Sequence, residues 1–156
     1  MMKRTTFRLC LCGVFLAAVL CFIWGNSLLP GESSGELSGF VGTLLQKLLP
    51  FLNLSTPQGM HLLRKAAHFS EFAALGFGFT WLYGMLCKRR LPSIGLALLC
   101  GFSAAAIDET IQIFSPNRGP GLKDVGIDTL GVLAGILFLT AVNLIFLKMR
   151  KKRTDV

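Results

Sequence analysis

Nine side chains in this sequence have types and spacings suited to chemistry: Lys65, His68 and Glu71; Asp108, Glu109 and Gln112; Arg118, Asp124 and Asp128. At about 100° per residue on a helix, Lys65, His68 and Glu71 fall within roughly a third of the circumference. Glu71 then lies about 9 Å deeper than Lys65, from a rise of ~1.5 Å per residue. Asp108 and Gln112 are spaced i, i+4 and share a face, with Glu109 about a quarter turn away. Asp124 and Asp128 repeat the i, i+4 spacing. A histidine beside carboxylates can do acid–base work, because the carboxylate orients the imidazole. His68, Glu71, Asp108 and Glu109 are therefore the catalytic candidates. Lys65, Gln112, Arg118, Asp124 and Asp128 are the binding candidates. Arg118 sits in "SPNRGPG", a loop stiffened by Pro116 and Pro120 and loosened by Gly119 and Gly121. There a guanidinium can grip a phosphate bidentately, or it can simply pair with Asp124. Histidine with carboxylates also suits several divalent cations. No HExxH or similar signature is present, however, and neither a metal nor a cofactor is expected.

The elements that must hold these groups are apolar. The chain has 156 residues, 53% hydrophobic and 15% charged, and a mean hydropathy of +0.62. Soluble domains carry roughly 25% charged residues, so lipid is the expected solvent. A membrane-crossing helix needs about 20 mostly apolar residues. Four stretches qualify: residues 9–24, 66–87, 91–114 and 125–147. The expected fold is a single all-α membrane domain of four transmembrane helices. The first stretch, with Lys3, Arg4 and Arg8 ahead of it, resembles a signal peptide. Its apolar run is long and no small-x-small cleavage site precedes Gly25, which favours a retained span. The five cysteines, Cys10, Cys12, Cys21, Cys87 and Cys100, lack metal-site spacing and read as buried, inert thiols.

The net charge is +8, gathered in short clusters beside the apolar runs. That pattern marks the cytoplasmic side of membrane spans and argues against nucleic acid as a partner. With both termini cytoplasmic, the inner segments hold eleven Lys and Arg: Lys3, Arg4, Arg8, Lys88, Arg89, Arg90, Lys148 and Arg150 to Arg153. The outer segments hold five: Lys47, Arg64, Lys65, Arg118 and Lys123. Between the first two spans, "GNSLLPGESSGE" reads as turn residues. Leu37, Phe40, Val41, Leu44, Leu45, Leu48 and Leu49 then recur at helical spacing, predicting a short amphipathic helix over about 37–49 at the outer face.

This topology brings all nine polar groups to the outer end of the bundle. An unpaired charge in hydrocarbon costs at least ~2.5–3.5 kcal/mol on insertion scales, so the groups are expected to face one another. Such ion pairs can also serve only to fix helix register. Below them Gly131 and Gly135, in "GVLAG", form a small-xxx-small stripe that admits close approach of another helix and allows a helix-packed oligomer.

Three segments, "KAAHFSEFAALGFG", "DETIQIFSPNRG" and "KDVGIDTLGVLAG", in this order and spacing, resemble the VanZ-like family of small bacterial membrane proteins. The early "GNSLLPGESSGE" fits that family's Ser-rich first outer loop. The resemblance implies four spans and an association with resistance to teicoplanin, a lipoglycopeptide acting at the cell surface. It also implies that Lys65, His68, Glu71, Asp108, Glu109, Gln112, Arg118 and Asp124 are the characteristic polar positions. The chain departs from the family pattern at Phe72, where Tyr is common, at Asn117, where Gly often precedes the Arg, and at Asp128, where Asn is usual.

Two functions are expected from these readings. One is an envelope factor that binds or shields an outer-leaflet lipid or lipid-linked cell-wall precursor. The other is a membrane enzyme acting on such a lipid through His68 with Glu71 or Asp108, with Arg118 holding phosphate. An ion pathway is less well supported, because the inner halves of the spans carry almost no polar groups.

Overall fold

A computed structural model describes residues 2–30, 39, 42–47, 56–119 and 121–154. The described residues form four long helices and no strand: α1 (Met2–Leu28), α2 (Pro57–Leu86), α3 (Arg90–Ile113) and α4 (Leu122–Thr154). Thr56 starts α2 by accepting a hydrogen bond from the Gly59 N–H at 3.1 Å, with Pro57 in the first turn. A hydroxyl cap followed by a proline at the first helical position is a favoured start. The amphipathic helix expected over 37–49 lies largely outside the described residues. Residues 42–47 are helical, and Gly42 rests against Met60 and Leu63 at the start of α2.

α1, α3 and α4 are long and apolar enough to cross a membrane, over Arg4–Leu28, Arg90–Ile113 and Leu122–Lys152. At ~1.5 Å per residue, even the 24 residues of α3 exceed the ~30 Å of a bilayer core. α2 is also long enough, but it does not reach the same apolarity, because its first half carries Arg64, Lys65, His68 and Glu71.

The core is a thin seam of mostly small and aliphatic side chains around one aromatic: Cys12, Leu16 and Ile23 from α1, Phe72 and Leu75 from α2, Ala97, Ala104 and Ala105 from α3, Val132 and Ile136 from α4. Large apolar side chains point outward instead, among them Phe7, Leu99, Phe138 and Phe146. Helices that bury small residues and expose large apolar ones match lipid-solvated bundles. Cys10 and Cys21 are among the outward groups, which corrects their reading as buried thiols; Cys12 is buried. They lie on the faces of α1 turned away from its neighbours.

α2 and α4 make the most extensive helix contact. A Cβ at Gly131 would strike the carbonyl of Phe69, and one at Gly135 the carbonyl of Ala73. Val132 presses its backbone on Gly76 of α2 and its side chain on Gly101 of α3. The small-residue stripe of α4 is thus used within the chain, against α2. At the other end of the bundle, Thr80, Ser93, Thr140, Asn143, Arg90 and Arg150 line a cavity of about 340 Å³. That end of the helices therefore carries more polar surface than the sequence suggests.

Two helix boundaries differ from expectation. α1 runs through Gly25, Asn26, Ser27 and Leu28, which "GNSLLP" presents as turn residues. The helix continues because its last carbonyls find remote donors: Ser115 Oγ donates to the Ser27 carbonyl at 2.6 Å, and Arg118 Nη2 to the Asn26 carbonyl at 2.7 Å. Terminal carbonyls need such partners when water is scarce. α2 begins at Pro57, well before residue 66, so His61 and Arg64 belong to the helix rather than to the preceding loop.

Candidate functional site

The chain folds the ends of α2, α3 and α4 around a polar cavity of about 250 Å³. Lys65, His68, Glu109, Gln112, Arg118, Asp124 and Asp128 line it, so seven of the nine predicted residues meet there. The other two lie outside its lining. Asp108 is fully buried beside His68, and Glu71 sits one turn deeper on α2.

Each helix positions its groups by spacing. On α2, His61, Arg64, Lys65 and His68 follow i, i+3, i+4, i+7 and put four basic side chains on the cavity wall. His61 and Arg64 were not among the predicted site residues. The signal was present in that spacing but fell outside the apolar run taken as the span. On α3, Gln112 Nε2 donates to Asp108 Oδ2 at 2.8 Å, as the i, i+4 spacing predicts, and lies 3.3 Å from Ser27 Oγ of α1. Glu109 turns to the other side, where its Oε2 accepts the Gly121 N–H at 2.9 Å. Gly121 is the residue whose carbonyl begins α4, accepting from Asp124 and Val125. A carboxylate at that helix N-terminus satisfies an open donor and matches the helix dipole.

The ion pairs differ from the sequence alternatives. Lys65 Nζ pairs with Asp124 Oδ1 at 3.2 Å. Arg118 reaches the Asn26 carbonyl, so the pairing of Arg118 with Asp124 is replaced by one between α2 and α4. Asn117 takes φ 59°, a left-handed conformation that asparagine tolerates and glycine favours. This explains how asparagine serves where the family pattern often has glycine. Burial, and then the like charge of Arg64, hold the Arg118 guanidinium below its ordinary pKa, against the opposing pull of Asp108, Glu109 and Glu71. The Nε atoms of Arg64 and Arg118 are buried with no hydrogen-bond partner among the described residues.

The floor is the most acidic part. His68 Nδ1 lies 4.0 Å from Asp108 Oδ2 and 3.8 Å from Asp128 Oδ1. Both carboxylates are essentially inaccessible, at 0% and 1% exposure. Neither distance is a hydrogen bond. The His68 ring stacks on Phe72, with centroids 6.5 Å apart and an interplanar angle of 21°. One ligand atom from each of His68, Asp108 and Asp128 lies within 4.8 Å of the others, a grouping able to hold a metal ion. Chemically, the site joins a cationic wall suited to phosphate or carboxylate with a histidine–carboxylate floor.

Apolar, membrane-length helices gathered around a polar cavity define a helical membrane protein. The chain belongs to the VanZ/LLP1 family, whose model matches residues 12–146. No curated protein and no solved structure matches the chain.

Proposed function

We propose that the chain is a four-pass cell-membrane protein with both termini in the cytoplasm, and that its cavity opens to the outer face. There it binds the phosphate-bearing head group of an outer-leaflet lipid or lipid-linked cell-wall precursor, and so lowers susceptibility to teicoplanin-type lipoglycopeptides. The carrying observation is the cavity wall: Arg64, Lys65 and Arg118 converge on it, and two guanidinium Nε atoms there have no hydrogen-bond partner among the described residues. Paired guanidinium donors suit phosphate oxygens. α2 is the fourth pass. Its polar half faces α3 and α4, where protein groups replace lipid, and its apolar half spans the rest. The excess of Lys and Arg at the opposite helix ends supports the orientation.

Expression in a sensitive host should raise tolerance to teicoplanin more than to vancomycin, and Arg118→Gln should abolish the gain while the protein still accumulates. Equal effects on both drugs, or none, would overturn the reading. Orientation is checked by labelling Cys87, between α2 and α3, against a cysteine introduced at Gly119, using an impermeant thiol reagent. Only the second should react from outside.

A second reading, a membrane enzyme modifying the same lipid, is favoured by His68 lying on the cavity floor between two buried carboxylates. An accumulated lipid species in a deletion strain would select it. An unchanged lipid profile with altered drug binding would select the shielding factor.

A further inference from the structure

We propose that His68, Asp108 and Asp128 form a binding site for a divalent first-row cation, of the Zn²⁺ or Mn²⁺ kind, at the floor of the polar cavity. The site stands whether or not the cavity holds a phosphate-bearing lipid.

Charge is the first reason. Asp108 and Asp128 are buried side by side, and among the described residues His68 is the only basic group within ion-pair distance of either. Lys65 is engaged with Asp124 higher in the cavity. One imidazolium cannot balance two carboxylates at contact, and Glu71 adds a third nearby; Arg118 acts on Asp108 and Glu71 only beyond ion-pair distance, while its Nη2 is bonded to the Asn26 carbonyl. Buried charges of this kind are paired or coordinate metals.

Unsatisfied atoms are the second. Asp108 Oδ1 and Asp128 Oδ2 are buried and have no hydrogen-bond partner among the described residues, and Glu71 Oε2 is in the same condition. Buried polar side chains are normally satisfied, and clustered exceptions call for a ligand.

Geometry is the third. Ligands held ~2.0–2.2 Å from one ion lie at most about 4.4 Å apart, and about 3.4 Å apart in a tetrahedral arrangement. The two histidine edges, 3.8 and 4.0 Å, are too long for hydrogen bonds and close to this range. Rotation of carboxylates that each have an unengaged oxygen supplies the remaining closure. The supporting contacts also fit: Gln112 Nε2 orients the Asp108 carboxylate, and Phe72 fixes the plane of the imidazole. Partners of this kind tune metal ligands.

The donor set selects the ion. One imidazole with two carboxylates is too nitrogen-rich for Mg²⁺ or Ca²⁺ and, lacking thiolate, too hard for Cu(I). Three protein ligands leave positions open, and His68 and Asp128 both border the cavity, so those positions face it.

The test uses the full chain, purified in detergent and stripped with EDTA, then titrated separately with Zn²⁺ and Mn²⁺ by calorimetry and thermal melting. Wild type should bind one cation per chain and melt higher with it. Asp128→Asn should lose affinity by more than the ~10–100-fold typical of a lost outer-shell partner. Without cation this variant should melt at or above wild type, because one of two repelling carboxylates is neutralised. Should Asp128→Asn not fold, wild-type stoichiometry and His68→Gln decide. Failure of wild type to bind either ion stoichiometrically, or wild-type affinity in the folded variants, would overturn the site. Drug tolerance is not read in this test, so the outcome is separable from the proposed lipid-binding role.

Discussion

One stripe of α4 changes character halfway along. Asp124, Asp128, Val132 and Ile136 follow at four-residue intervals, and all turn toward the bundle. Val132 and Ile136 are buried among Gly76, Gly101 and the core side chains. Asp128 is just as inaccessible, at 1% exposure, yet one of its oxygens has no donor among the described residues. The lower half of the stripe is closed by backbone-to-backbone packing that admits no added atom. In the upper half Asp128 is buried to the same degree and left chemically incomplete, while Asp124 is partly exposed and paired with Lys65. Burial alone therefore does not distinguish Asp128 from Val132 and Ile136; satisfaction of the buried atoms does.

The contrast is broken most severely from below. Gly135→Ala places a methyl against the Ala73 carbonyl and 2.7 Å from the Phe77 nitrogen. Backbone cannot yield as a side chain can, so the loss should reach or exceed the upper end of the ~1–3 kcal/mol seen for overpacking. Denaturant melting in detergent and cellular abundance both read it. Gly126→Ala, on the same helix with nothing within 4 Å, should be neutral or stabilising by up to ~1 kcal/mol. Equal losses at both glycines would refute the seam.

Arg118→Ala comes next. It removes a charged donor from the Asn26 carbonyl and should destabilise by ~1.5–3 kcal/mol, together with any anion affinity. Ser115→Ala removes the neutral counterpart at Ser27 and should cost about 1 kcal/mol, leaving anion binding unchanged. If the two variants impair binding equally, the wall of the cavity is misassigned. The smallest effect belongs to Lys65 and Asp124, whose side chains are 35% and 37% exposed. A double-mutant cycle should return a coupling below ~1 kcal/mol that weakens with salt. A larger value would mean that the pair belongs energetically to the buried floor.

α1, α3 and α4 were legible because apolar runs of membrane length leave few alternatives, α2 was legible as a helix although its polar half keeps it from the same apolarity, and Gly131 and Gly135 named their own packing face. The convergence of polar groups was legible too, since His68, Asp108 and Asp128 each stand at the right height on a separate helix. The partners were not. Whether Asp124 meets Arg118 or Lys65 depends on the rotation of α4 against α2, which is set by the close backbone approach at Gly76, Gly131 and Gly135 rather than by spacing along the chain. The start of α2 was hidden for another reason: His61 and Arg64 look like loop residues until the apolar run is extended upstream through Thr56 and Pro57. The end of α1 was hidden because Gly, Asn and Ser favour turns locally, and only groups far along the chain reverse that preference.

Those distant bonds carry a temporal consequence. The donors that complete the end of α1 lie 85 to 92 residues downstream. At synthesis rates of ~5–20 residues per second, α1 leaves the ribosome on the order of 5–20 s before they exist. The first helix to be made is thus among the last to be fastened, and the α3–α4 connection acts as its latch.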